Sequence, residues 1–243
     1  MDFLGKFKDD FVLNFITDNR WKWLFDGLGN TLIITLFSLL LGLAIGIVIA
    51  IVRSTYDKNQ EEYKKKGGVF YLFWWVINAV SNLYLTVIRG TPVVVQLLIA
   101  YFIIFASSRN SIAVAIFAFG LNSGAYVAEI IRGGIMSIDN GQFEAGRSLG
   151  FNYVQTMIYI IIPQVFKSIL PTLCNEFIVL IKETSIAGYV GIVDLTKAGE
   201  RIRGVTFSAF MPLLAVALIY LVVVLILTQL VKILERKLRK NER

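Results

Sequence analysis

Residues Gly27 to Val52 read GLGNTLIITLFSLLLGLAIGIVIAIV, 26 positions with no Asp, Glu, Lys or Arg. A helix rises about 1.5 Å per residue, so roughly 20 apolar residues cross a hydrocarbon core about 30 Å thick. The stretch is therefore expected to span a bilayer. Outward from it lie Val69 to Ile88, Gly90 to Ser108, Ser111 to Ala128 and Val205 to Val231, all free of charge, and Phe151 to Asn175, interrupted only by Lys167. With 56% hydrophobic and 17% charged residues, the 243-residue chain is too apolar for an ordinary soluble domain. The expected fold is an all-α membrane protein of about five transmembrane helices.

The net charge of +7 raises nucleic acid as a partner, but the basic residues do not gather on a soluble face. They cluster at Arg53, Lys58, Lys64, Lys65 and Lys66, and at Lys232, Arg236, Lys237, Arg239, Lys240 and Arg243, both beside long apolar runs. That is the positive-inside pattern, so both clusters are expected on the cytoplasmic side of a cell membrane, in contact with lipid. Threading backwards from the C-terminus gives an external segment over 1–26, a transmembrane domain over 27–231 and a basic cytoplasmic tail over 232–243. The loop 132–155 is then cytoplasmic and the N-terminus outside.

Val69 to Leu85 is not counted as a span, because two antiparallel helices joined by Arg89-Gly90 alone need a tighter turn than helix pairs use. It is expected at the cytoplasmic interface, with Tyr71, Trp74, Trp75 and Tyr84 at headgroup level, feeding a second span over Gly90 to Ala106; a sixth span is the alternative. Phe11 to Phe25 reads as an external interfacial segment. Gly42-x-x-x-Gly46 and Gly120-x-x-x-Gly124 place small surfaces one turn apart, for packing inside the bundle ahead of contact between subunits.

Absences limit the chemistry. The chain has no histidine and a single cysteine, Cys174, so no Ser-His-Asp triad, histidine zinc site or internal disulfide is available. No G-x-x-x-x-G-K-[ST] segment occurs, so any ATP is handled by another chain. No catalytic residue, cofactor or metal site is expected.

The segment Asp139 to Pro163, DNGQFEAGRSLGFNYVQTMIYIIIP, carries the most specific signal. Asn140-Gly141 is a turn, Gln142 to Ser148 are mostly helix formers, Gly150 is a natural stop and Phe151 opens the next apolar run. A short helix outside the membrane is expected. Phe143, Leu149, Phe151 and Tyr153 have no obvious core to enter, and a partner surface is expected to bury them.

This segment resembles the coupling motif of ABC importer permeases, E-A-A-x-x-x-G, nine residues, I-x-L-P. Here it stands as Glu144-Ala145-Gly146, Gly150, Ile160, Ile162 and Pro163, with Gly146 for the second Ala and Ile162 for Leu. Arg89-Gly90-Thr91-Pro92, Leu121-Asn122-Ser123-Gly124-Ala125-Tyr126 and Asn175-Glu176-Phe177-Ile178 with Lys182-Glu183-Thr184-Ser185 are similar to the polar amino acid branch of that family. The resemblance covers about Gly27 to the C-terminus. It implies a type I permease fold with a cytoplasmic coupling helix, a second permease subunit, an ATP-binding cassette ATPase gripping the loop helix, and an external binding protein that delivers substrate. Glu144, Ala145 and Gly150 would carry the coupling, Glu144 as a polar contact or local cap.

Carboxylates inside apolar runs each need a partner or water. Glu129 is expected to pair with Arg132 one turn on. Glu176 and Glu183, seven residues apart, share one helical face, with Asn175 beside them. Together with Asn122 they form the expected substrate site, and an acid at 176 points to a cationic amino acid (Arg, Lys or His). Lys167 or Lys182 as a counter-charge is the alternative. An ion-coupled secondary transporter would also use buried carboxylates but has no need of a loop helix bearing Glu144 and Gly150. An intramembrane enzyme fits poorly, with no histidine and no paired Asp within the spans.

Overall fold

The computed structural model describes residues 3–240, and every described element is helical. The expectations that fall on Met1, Asp2 and 241–243 lie outside the described residues. In chain order, α1 (Phe3–Phe11) leads through a π turn (Val12–Ile16) and a short 3-10 turn (Thr17–Asn19) into α2 (Trp21–Lys66). Then come α3 (Gly68–Gly90), α4 (Val93–Ile99) with a π-helical end (Ala100–Ile104), α5 (Ser111–Met136) and α6 (Asn140–Ser148). Next, α7 (Tyr153–Thr156) passes through a π turn (Met157–Ile161) into α8 (Ile162–Glu183), followed by a 3-10 segment (Thr184–Val190), α9 (Leu195–Thr206) and α10 (Phe210–Lys240).

Among the described residues five helical stretches are long and apolar enough to cross a membrane: Trp21–Lys66, Gly68–Gly90, Ser111–Met136, Tyr153–Val190 and Phe210–Leu238. The number matches the expectation, although by length and composition Gly68–Gly90 takes the place of Gly90 to Ala106. Tyr63 packs on Phe70 and Trp74, and Arg53 bonds Asn82, so the first part of this helix runs beside the charged end of α2, as expected of an interfacial segment. Gly68–Gly90 is one unbroken 23-residue helix, whereas Gly90 to Ala106 is not a helix of its own. The chain breaks at Thr91, which is extended (φ −121°, ψ 147°) ahead of Pro92, and the apolar helix after it runs only from Val93 to Ile104. The ring of Pro92 forbids the helical region to its predecessor and supplies no N–H. At its other end α3 meets α2 across Gly67, with Gly67 and Gly68 at φ +60° and +59°, a conformation that glycine adopts without penalty.

α2 begins at Trp21, six residues before the charge-free run, after a kink at Asp18 and Asn19, both in left-handed conformations (φ 54° each). Its 46 residues make a rod of about 69 Å, more than twice the hydrocarbon thickness.

The chain divides into two compact units. One takes the chain up to Ser38 with Val94–Phe119 and Phe177–Leu230. Its core is Phe15, Leu24, Leu195, Ala198, Ile202, Met211 and Val216. Polar groups on α2 are satisfied inside it: Asn30 Nδ2 donates to Val193 O at 2.8 Å, Thr35 Oγ1 to Thr31 O at 2.8 Å and Ser38 Oγ to Ile116 O at 3.2 Å, as an apolar solvent requires. Asp194, fully buried, caps α9 by accepting from the backbone N–H groups of Thr196 at 3.0 Å and Lys197 at 3.1 Å. Burial raises its carboxyl above the ordinary carboxylate value, and these hydrogen bonds offset only part of that rise.

The other unit takes Leu39–Val93, Gly120–Glu176 and Val231–Arg243. In it the two small-residue pairs interlock. A Cβ on Gly46 would lie 2.5 Å from Val127 and one on Gly42 3.0 Å from Ser123, while one on Gly120 would lie 2.7 Å from Leu41. The glycines thus let the α2 and α5 backbones close on each other within one chain, as expected for bundle packing. A second cluster, Ile135, Phe143, Ile161, Val165 and Ile169, ties α6 to the elements on either side of it.

Candidate functional site

The loop helix α6 is built by its ends. Asp139 is the N-cap, its carboxylate accepting from Gly141 N at 2.6 Å, so the cap is Asp139 and not Glu144. At the other end Gly150 sits at φ +81°, Phe151 N donates to Gly146 O at 3.0 Å and Gly150 N to Arg147 O at 2.9 Å. These paired bonds form a Schellman stop, which needs a left-handed residue after the cap and so favours the glycine predicted there. α7 opens with a reciprocal capping box between Asn152 and Gln155, both bonds at 2.9 Å.

Gly146, where the family motif has alanine, is a contact point: a Cβ would stand 2.7 Å from the Thr156 side chain. α6 therefore packs against α7 at backbone distance. Phe143 is corrected in the same way. It is 8% exposed within the chain's own cluster, with no partner needed, because it shares the buried side of α6 with Gly146. Glu144, Ala145 and Arg147 face out, Phe151 and Tyr153 are half-buried, and Leu149 remains 70% exposed.

Beside this loop an ion-pair network links α2, α3 and α5. Arg132 Nη2 pairs with Glu129 at 3.0 Å, as expected one turn apart, and Arg132 Nη1 also reaches Asp57 at 3.3 Å. Arg89 approaches Glu129 at 4.0 Å. Glu129 is thus engaged by two arginines in this structure.

The expected substrate residues divide. Asn122 is buried at 3% exposure, Glu176 is half-buried and Asn175 is exposed on α8 next to it. Ser123, fully buried, donates from Oγ to Glu176 Oε1 at 3.2 Å. The hydroxyl was not singled out from the sequence, although it adjoins Asn122 in the motif quoted above; the only signal was its place in a run of small residues. Glu183 ends α8 two turns beyond Glu176 and belongs to the other unit, where it is half-buried. That unit also holds a concavity of about 560 Å³, lined by Ser185, Gly188, Tyr189, Thr196, Lys197 and Glu200. Lys197 and Glu200 in that lining pair with each other at 3.0 Å.

About five helices long and apolar enough to cross a membrane, carrying buried polar groups and a half-buried carboxylate, with a tightly capped helix outside the apolar runs, define a multi-pass membrane protein. The chain belongs to the family of binding-protein-dependent transport system inner membrane components, whose family model matches residues 68–240. It is 38% identical to the arginine transport system permease protein ArtQ of Bacillus subtilis (strain 168), over 90% of this chain and 94% of that one. It is 36% identical to the glutamine transport system permease protein GlnP of Escherichia coli (strain K12), over 89% and 93%. Among solved structures, a crystal structure of an amino acid ABC transporter with histidines matches with a TM-score of 0.77 and 36% identity, covering 98% of this chain and 99% of that chain. An inward-facing MetNI methionine ABC transporter structure, 19% identical with a TM-score of 0.68, shares the fold.

Proposed function

We propose that this chain is the permease subunit of an ATP-driven ABC importer of polar amino acids, and that its substrate is basic: arginine, lysine or histidine. The observation that carries the substrate reading is Glu176, an acid half-buried in an apolar helix and hydrogen-bonded to the buried Ser123. An ammonium or guanidinium would offset the lost hydration of that carboxylate, which a neutral substrate would not do. The names of the relatives support an amino acid cargo and differ on which one, arginine in ArtQ and glutamine in GlnP. Glu183 is a second carboxylate on the same helix, to be tested separately.

In this reading α6 is the coupling helix. Its inner side is fixed to the chain by Phe143 and Gly146, and its outer side offers Glu144, Ala145 and the exposed Leu149 to an ATPase subunit. Two permease subunits form the pathway, and an external binding protein delivers the amino acid. Closure of the ATPase pair on ATP shifts α6 and, with it, the balance between inward and outward access. With the second crossing made by the end of α3 continued through Val93–Ile104, the number of crossings is odd, so 53–66, 132–155 and the basic tail are cytoplasmic and the N-terminus is outside.

The test is purification followed by reconstitution. An ABC ATPase should copurify, and uptake of labelled arginine into proteoliposomes should need ATP and persist when ionophores collapse all ion gradients. Uptake that follows the gradient and ignores ATP would instead establish the ion-coupled secondary transporter.

A further inference from the structure

We propose that Lys58 is a positioning residue for α6, through which the long helix α2 takes part in coupling; this rests on the reading of α6 as the coupling helix. The charge-free run of α2 ends at Val52 and the helix continues to Lys66, an arm of roughly 21 Å beyond the apolar stretch. The family match begins at residue 68, so this arm lies outside the matched residues.

The arm is braced. Tyr63, 7% exposed, stacks on Trp74 with ring centroids 5.2 Å apart and meets Phe70 edge-on at 5.3 Å. A free helix end would fray, whereas aromatic packing of this kind holds it against α3. Two adjacent side chains on the braced arm then reach the segment that carries α6. Asp57 accepts from Arg132 near the end of α5. Lys58 Nζ donates to Asn140 Oδ1 at 2.8 Å and lies 4.4 Å from the centroid of the Phe143 ring.

These two contacts of Lys58 differ from an ordinary surface ion pair, whose hold on geometry is weak. Asn140 is the first residue of α6 and Phe143 is its buried anchor, so one ammonium fixes the start of the helix by a directional bond and its buried ring by a cation–π contact. α6 is thereby tied to α2 as well as to the α5 and α7 segments that flank it. A displacement of α6 by an ATPase subunit would pass to the first span directly, through a contact between residues 82 positions apart in sequence.

The experiment uses the importer assembled with its ATPase subunit in proteoliposomes and measures labelled arginine imported per ATP hydrolysed. Lys58→Met keeps the aliphatic stem and loses both contacts, while Lys58→Arg keeps a cation and its donors. Lys58→Met is expected to assemble in wild-type amount and to lower the ratio about fivefold or more, with Lys58→Arg within about twofold of wild type. An unchanged ratio in Lys58→Met, or equal losses in the two variants, overturns the proposal. Asn140→Ala removes the same hydrogen bond from the side of α6, and its loss should not add to that of Lys58→Met; additive losses also overturn it. Glu144→Lys separates the two levels. If that change leaves the ratio untouched, the coupling-helix reading fails and this inference fails with it, whereas a fall there with no fall in Lys58→Met removes the role of Lys58 alone.

Discussion

Ser123 Oγ donates a hydrogen bond to Glu176 Oε1 across 3.2 Å, joining α5 to α8. A neutral hydroxyl orients the carboxylate without cancelling its charge. Glu176→Gln keeps the shape and the contact to Ser123 but removes the charge. It is expected to lower uptake of basic amino acids tenfold or more, about the effect of 1.4 kcal/mol, with normal assembly on gel filtration. If Glu176 served only to balance Lys167 or Lys182, the same change would instead lower thermal stability and depress uptake of every substrate alike.

The left-handed position of Gly150 makes a second expectation. A β-branched residue is disfavoured at φ +81°, by about 1–2 kcal/mol, and would loosen the stop of α6. Gly150→Val should leave the chain inserted in the membrane while reducing transport-stimulated ATP hydrolysis several-fold. Hydrolysis coupled as in the wild type would show that the Schellman end does not matter for coupling.

Packing through Gly46 can be tested on stability alone. A Cβ there would fall 2.5 Å from Val127 and 3.0 Å from the backbone of Ala128, which leaves no room without parting α2 from α5. Gly46→Leu is expected to cost about 1–3 kcal/mol, read as a lower melting temperature in detergent. A change at Gly29, where no atom lies within 4 Å of an added Cβ, should have little effect.

Much of this was legible in the sequence because it depends on local chemistry. The five apolar stretches follow from the length of charge-free runs, Gly150 from the need for a left-handed stop, and the Glu129–Arg132 pair from helical spacing. The missed features arise where a rule about composition meets one about backbone. α2 runs through 53–66 although that stretch is charged, since Glu, Gln and Lys are good helix formers and hydropathy says nothing of where a helix ends. The break falls at Thr91-Pro92 and not at Arg89-Gly90, because proline acts on the residue before it while a glycine near a helix end is tolerated. The Ser123–Glu176 bond spans 53 positions and leaves no mark on either local pattern. Burial of Phe143 was likewise hidden, since its neighbours Ile161, Val165 and Ile169 come from the following helix.

Asp194 supplies a pH dependence. Its folded pKa is raised, so the stability it contributes is full below the unfolded value of about 3.9 and is lost as pH rises through the raised folded value. Protection of the α9 amides, corrected for intrinsic exchange rates, should therefore fall as pH rises across the acid range. Asp194→Asn, which keeps a capping oxygen and cannot titrate, should flatten that profile; an equal slope in the variant would place the titration elsewhere.

Sidedness follows from the basic clusters and the odd number of crossings. In a Cys174→Ser background, a cysteine replacing the exposed Phe7 should react with an impermeant maleimide in intact cells, and one replacing the exposed Lys237 only after permeabilisation. Labelling of both only after permeabilisation would show an even number of spans, with Gly68–Gly90 and Val93–Ile104 each crossing separately.

The measurement that bears most directly on the central claim is competition uptake in proteoliposomes holding the assembled importer and luminal or external ATP as orientation requires. Labelled arginine is offered with unlabelled Arg, Lys, His, Gln, Glu or cystine, for wild type and Glu176→Gln. A basic amino acid importer that relies on Glu176 shows ATP-dependent uptake suppressed by Arg, Lys or His, with that selectivity lost in the Gln variant. Inhibition by Gln or Glu alone, with the basic set inert, would contradict the cationic substrate.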